Sequence, residues 1–154
     1  MKALEIVFWI SVFVVFYTYI GYGIVLWGLV KVKETFRPRK EPRMPDELPE
    51  VTLFVAAYNE ERVVDEKMAN TRSLDYPADR LKVVWVTDGS DDSTNRRLEA
   101  YPEVEVFFQP ERQGKTAALN RGIEFVETSL VVFTDANTML NREAIREIVR
   151  CFSD

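Results

Sequence analysis

The chain has 154 residues, a formal net charge of −5, 47% hydrophobic residues, one cysteine and no histidine. That length holds one domain of ordinary size with apolar residues enough for a core. The lack of histidine excludes a His-dependent triad or a His-ligated metal site within the chain, so any bound cation would rest on oxygen ligands, while Cys151 on its own forms no intrachain disulfide and suits a reducing compartment.

The first element is apolar. No charged residue occurs from residue 6 to residue 30, and that run exceeds the roughly 20 residues a helix needs to cross a bilayer. Trp9 and Trp27 stand near its two ends, where indole rings favour the headgroup layer. It is too long for the apolar core of a secretory signal and ends without an Ala-x-Ala cleavage pattern. Residues 1–31 are therefore expected to form a single transmembrane helix. Lys31, Lys33, Arg37, Arg39, Lys40 and Arg43 follow it against only Lys2 before it, which places everything after it in the cytoplasm and brings the basic cluster against anionic membrane lipid. With the basic residues gathered there on an acidic chain, nucleic acid is not an expected partner. Residues 32–50 contain Pro38, Pro42, Pro45 and Pro49 and read as an extended linker.

From residue 51 the pattern becomes regular. Apolar runs at 51–55, 83–86, 104–108 and 130–133 read as strands. Helices are expected at 60–74, with Val63, Val64 and Met68 on the apolar side, at 93–101, at 116–126, and from Asn141 as N-cap onward through Ala144, Ile145, Ile148 and Val149. Strand and helix alternate four times, which predicts an α/β fold: a Rossmann-like, largely parallel sheet with flanking helices. No dinucleotide fingerprint follows the first strand, where the turn is Ala57-Tyr58-Asn59-Glu60. A phosphate-binding P-loop at Gly114-Lys115-Thr116 fails because residue 109 is Gln109 instead of glycine and Pro110 removes a backbone donor.

Four polar patches follow apolar strands, at the edge where open α/β sheets bind nucleotides. They are Ala57-Tyr58-Asn59-Glu60, Thr87-Asp88-Gly89-Ser90, Gly114-Lys115-Thr116 with Ala117-Ala118-Leu119-Asn120, and Thr134-Asp135-Ala136-Asn137. Tyr58 offers a ring for a base, Glu60 and Asp88 offer acceptors to a base N–H or a ribose hydroxyl, Gly89 permits a tight turn and Lys115 brings positive charge for phosphate. Each has a plainer reading: Asn59 and Ser90 as helix caps, Tyr58 and Glu60 as rim and first-turn residues, Lys115 as a solvated helix start, and Asp91, Asp92, Ser93 and Thr94 as turn and cap residues. Asp88 and Asp135 are harder to explain that way, because an acidic group directly after an apolar strand is costly to bury without a partner.

In this order and at these separations the patches resemble the family 2 glycosyltransferases of the A-type nucleotide-sugar fold, including processive polysaccharide synthases. The resemblance covers residues 51–154 and implies the nucleotide-sugar-binding part of such a domain, incomplete. It implies nucleotide-sugar contacts at Ala57, Tyr58, Glu60, Asp88, Gly89 and Lys115, and a divalent cation, Mg2+ or Mn2+, at Asp135 and Asn137. Two departures stand out: Asn137 is an amide where the family commonly has a carboxylate, and Thr87 stands where many members carry a first aspartate. The family's downstream catalytic base and Gln-x-x-Arg-Trp motif do not occur in these residues, so no catalytic residue is assigned. The expectation is the donor half of a membrane-anchored, inverting glycosyltransferase using a UDP-sugar and a glycan or lipid acceptor, with a partner chain as one source of the acceptor half. The alternative is a non-catalytic, membrane-bound nucleotide-sugar-binding or assembly subunit.

Overall fold

A computed structural model describes residues 2–36 and 42–152, and the chain divides into two compact units, 1–41 and 42–154. The first unit is one helical stretch: α1 (Lys2–Phe16), a π-helical turn (Tyr17–Gly21) and α2 (Tyr22–Phe36). Together they make a helix of 35 residues that is long and apolar enough to cross a membrane. Ser11 and Thr18 turn their hydroxyls back onto the carbonyls of Val7 and Val14 at 2.9 and 2.8 Å, which satisfies both polar groups inside the helix, as an apolar surround requires. Gly21 is buried at the π-turn, where an added Cβ would meet the Tyr17 ring at 3.1 Å. The helix runs through Phe36, past the expected boundary at residue 31. Residues 32–36 are therefore helical instead of extended: Lys31 and Glu34 pair at 3.1 Å one turn apart, and no proline stands before Pro38. Residues 37–41 of the expected linker lie outside the described residues, as do 153 and 154 of the second segment.

The second unit is an α/β layer structure. Strands β1 (Val51–Ala57), β2 (Leu81–Asp88), β3 (Val104–Gln109) and β4 (Leu130–Asp135) form one sheet in the order β3-β2-β1-β4. All neighbours are parallel, with Ala57 opposite Thr87, Ala56 opposite Asp135 and Asp88 opposite Gln109. The carboxyl ends of the four strands thus arrive at one edge. The central strands β1 and β2 are buried almost throughout, while β3 and β4 are only partly covered, as expected of inner and outer strands of a parallel sheet.

Each crossover carries a helix: α3 (Val64–Arg72), α4 (Thr94–Leu98) and α5 (Lys115–Ile123), with α6 (Ala144–Cys151) after β4. Because strand side chains alternate, the sheet has two cores. Val51, Leu53, Val55, Val83, Trp85 and Val132 pack with Val64 and Met68 of α3, Leu98 of α4, and Ile145 and Val149 of α6. Phe54, Val84 and Val86 face the other way onto Ala118 of α5, with Leu119 and Val131 beside them. Fully burying a Val, Leu, Ile, Phe or Met side chain contributes about 1.5–3 kcal/mol, so these two clusters hold the unit together.

Helix starts differ from expectation. α3 begins at Val64, after a tighter turn in which the Val63 N–H donates to the Glu60 carbonyl at 3.0 Å, while the N–H groups of Glu60 and Glu61 go to the Thr94 hydroxyl at 2.8 Å and the Asp92 carboxylate at 3.1 Å. α6 begins at Ala144, and Asn141 offers its backbone carbonyl to the Ala144 N–H at 3.1 Å instead of a side-chain cap.

Candidate donor-binding cleft

The carboxyl edge of the sheet opens into a cleft of about 310 Å³. Ala57, Tyr58, Glu60, Asp88, Lys115, Asp135 and Asn137 all line it, together with Ala56, Arg112, Gly114 and Ala118. Gly89 is the one expected site residue outside the lining, and its place explains why. It has φ +70°, and a Cβ there would lie 2.7 Å from Cβ and 2.9 Å from Cα of Arg112. Glycine is therefore needed for both the left-handed backbone and the close passage of the 110–114 loop.

That loop is held from below by Asp88. Its Oδ2 accepts the backbone N–H groups of Gln113 at 2.9 Å and Gly114 at 2.7 Å, while Oδ1 faces the Arg121 guanidinium at 3.5 Å. Only 4% of Asp88 is exposed, so a buried carboxylate has found the donors it requires. Its neighbour Thr87 is fully buried and donates to Asn95 Oδ1 at 2.7 Å, so the hydroxyl at this departure from the expected pattern is satisfied.

Asn59 and Ser90 do not cap helices. Asn59 has φ +53°, donates its N–H to Ser90 Oγ at 3.1 Å and exchanges two hydrogen bonds with Asp91, which ties the turn after β1 to the turn after β2. Asp92 accepts both the N–H and the hydroxyl of Thr94, the first residue of α4. Burial pushes the Asp92 carboxyl up, yet the hydrogen bonds from Thr94 and Glu61 outweigh it and hold the group below the usual carboxylate range.

Three cationic features shape the interior. Arg112 sits over the Tyr58 ring, its guanidinium carbon 3.7 Å from the ring centre. Lys115, the first residue of α5, places Nζ 2.5 Å from Asp135 Oδ1. Behind the cleft, Lys67 of α3 is fully buried beneath the turn after β4. Neither Arg112 nor Lys67 was expected from the sequence. Arg112 carries the weak signal of a basic residue two places before Gly114, whereas Lys67 sits in a helix where lysine ordinarily faces water.

Asp135 and Asn137 stand two residues apart across the turn and offer a carboxylate and an amide oxygen. Among the described residues no group of three or more Asp, Glu, Cys or His side chains gathers to hold a metal. Two hard oxygen donors nevertheless suit Mg2+ or Mn2+, ions that keep several waters and take the rest of their shell from phosphate oxygens.

Residues 52–154 match the family model described as glycosyl transferase family 2. Among characterised relatives, the poly-beta-1,6-N-acetyl-D-glucosamine synthase of Staphylococcus aureus (strain COL) is 30% identical over 102 residues, 64% of this chain and 24% of the relative. The beta-monoglucosyldiacylglycerol synthase of Synechocystis sp. is 34% identical over 111 residues, 68% of this chain and 23% of the relative. The chain thus spans about a quarter of the length of these relatives. Among solved structures, the mannosyltransferase PcManGT from Pyrobaculum calidifontis, in complex with GDP-Man and Mn2+, superposes with a TM-score of 0.70 at 30% identity, covering 86% of this chain and 41% of that one. TarS 1–349 of S. aureus, in complex with UDP-GlcNAc, shares the fold with a TM-score of 0.61 at 24% identity, covering 64% of this chain and 30% of that one.

Proposed function

The chain belongs to glycosyl transferase family 2, and from its cleft we propose that residues 51–154 are the donor-binding half of a membrane-anchored, inverting glycosyltransferase that moves a sugar from a UDP-sugar to a glycan or lipid acceptor. The observation that supports this most directly is the convergence of Tyr58, Glu60, Asp88, Lys115, Asp135 and Asn137 on one cleft at the carboxyl ends of β1, β2 and β4, the edge at which open parallel sheets bind nucleotides.

In this reading Tyr58 and Arg112 form a stacked pair against which the base is placed, and Glu60 and Asp88 Oδ1 accept from the nucleoside. Asp88 acts in a second way, because its Oδ2 fixes the loop that leads into Lys115. Lys115 is paired with Asp135 in this structure; its ammonium turns to the diphosphate when the nucleotide enters. Asp135 and Asn137 would hold Mg2+ or Mn2+, which when bound neutralises charge on the nucleoside diphosphate leaving group. Removal of the acceptor hydroxyl's proton needs a base that we assign to none of the 154 residues.

Titration of UDP and of GDP into the full chain in detergent, with MnCl2 and with EDTA, tests the assignment. UDP is expected to bind more tightly than GDP, and more tightly with Mn2+ than with EDTA. Asp135→Ala should abolish the metal-dependent part, Asn137→Ala should reduce it, and Asn137→Asp should enlarge it by adding a charged ligand. A preference for GDP would overturn the donor, and metal-independent binding in all four proteins would remove Asp135 from the mechanism.

A further inference from the structure

Lys67 is a fully buried lysine in the middle of α3. Lysines are almost never fully buried unless paired, and the unpaired burial of an ammonium is among the costliest substitutions a core can carry. Its Nζ donates to Thr134 Oγ1 at 3.0 Å and to the backbone carbonyl of Thr138 at 2.5 Å. These two acceptors flank Asp135-Ala136-Asn137 on either side. Within the bracket, the Thr138 N–H donates to the Asp135 carbonyl at 3.2 Å and Ala136 is buried.

One helical turn further on, Asn70 continues the same attachment. It donates Nδ2 to the Leu140 carbonyl at 2.8 Å and accepts the Leu140 N–H on Oδ1 at 2.9 Å. Residues three apart share a helix face, so α3 grips the segment 134–140 with two polar side chains from one face. An apolar residue at position 67 would avoid burying a charge, but it would leave the Thr138 carbonyl without its donor.

We propose that Lys67 is a positioning residue for the cation site, holding the turn so that Asp135 and Asn137 present their oxygens together. This rests on the reading of those two residues as cation ligands. The sign of the metal effect separates it from simple electrostatics. Lys67 carries a positive charge close to Asp135, and the Asp135 charge in turn favours the ammonium against the burial that lowers its pKa. Removing that charge alone would relieve repulsion and tighten Mn2+ binding, whereas releasing the turn weakens it.

The experiment uses the full chain in detergent and three proteins: unaltered, Lys67→Met, and Thr134→Val, which keeps the ammonium and, at a half-buried site, removes one of its acceptors together with that hydroxyl's longer 3.3 Å bond to the Asp135 carbonyl. Hydrogen–deuterium exchange without metal or nucleotide should show residues 134–140 exchanging faster in both variants while β1 and β2 are unchanged. MnCl2 titration should show affinity falling by roughly tenfold or more in Lys67→Met, as for residues that orient metal ligands from behind, and by a smaller factor in Thr134→Val. UDP binding in EDTA should stay within about twofold, since the cleft's nucleoside side is untouched. Unchanged exchange at 134–140, or tighter Mn2+ binding in Lys67→Met, overturns the proposal. If Lys67→Met does not fold, Thr134→Val decides it by the same readings. A chain that binds no Mn2+ in any form fails the cation-site reading and overturns the coupling to metal, while the exchange experiment still shows whether Lys67 holds the turn.

Discussion

Asp88 combines two tasks that pull in the same direction. Its carboxylate accepts the Gln113 and Gly114 amides and faces the Arg121 guanidinium, from a position that is almost wholly buried. Replacing it with alanine strands two backbone donors and leaves the Arg121 guanidinium only its 3.5 Å contact with the Thr87 carbonyl among these partners. Loss of a hydrogen bond to a charged group costs about 1.5–3 kcal/mol, so Asp88→Ala should weaken UDP binding by roughly tenfold or more and also lower the melting temperature. Calorimetric titration and thermal unfolding of the same preparation measure both. Equal UDP affinity would refute the role. The acidic group itself was readable from sequence because it follows an apolar strand directly; its partners were not, since Gln113 and Gly114 lie 25 and 26 residues away and meet it only when Gly89 lets the loop pass.

Helix α5 connects packing to the cleft. Gly122 lies where an added Cβ would fall 2.3 Å from Phe54 Cζ and 2.5 Å from Val86 Cγ2, both on the central strands. Gly122→Ala gains up to about 1 kcal/mol of helix propensity, but forcing a methyl into a packed core costs typically about 1–3 kcal/mol. A contact this short sits at the upper end, and overpacking wins. Because α5 begins at Lys115, a shifted helix also displaces the ammonium that faces Asp135. The expected outcome is a lower melting temperature together with weaker UDP binding, whereas unchanged values of both would show that the sheet yields to the methyl. The strands were legible in advance: β1 and β2 are runs of β-branched and aromatic residues, the composition that burial on both faces requires, and β4 has the same composition though it is only partly covered. Helix starts were less so: α3 begins at Val64 after a tight turn closed by the Val63 N–H on the Glu60 carbonyl, and the acceptors of the Glu60 and Glu61 N–H groups, Thr94 and Asp92, lie some thirty residues away. Lys67 was illegible for the same reason, since nothing local distinguishes a lysine that meets Thr134 and Thr138 from one that meets water.

The chain as a whole sets an acidic sheet domain after a long apolar helix. Lys2–Phe36 is a helix of 35 residues, about 52 Å at 1.5 Å per residue, against a hydrocarbon core of about 30 Å. A membrane-spanning placement would take up the surplus by tilt or by helix emerging from the bilayer, and would bring Lys31 and Lys33, on its last turns, to the headgroup region. Lys and Arg flank the span on one side, with Lys31, Lys33, Arg37, Arg39, Lys40 and Arg43 after it and Lys2 before it. The bias in Lys and Arg near the ends of a span sets its orientation, and acidic neighbours contribute little. We therefore expect residues 51–154 on the cytoplasmic side. Fusions after residue 50 to one reporter active only in the cytoplasm and to another active only outside it give the reading: the first should be active and the second silent. Replacing the six basic residues after the span with glutamine should erode that preference, giving mixed activity, because the retained Lys2 would then supply the larger basic end. An outside reporter active in the unaltered chain would overturn the orientation and separate the cleft from any cytoplasmic supply of nucleotide-sugar.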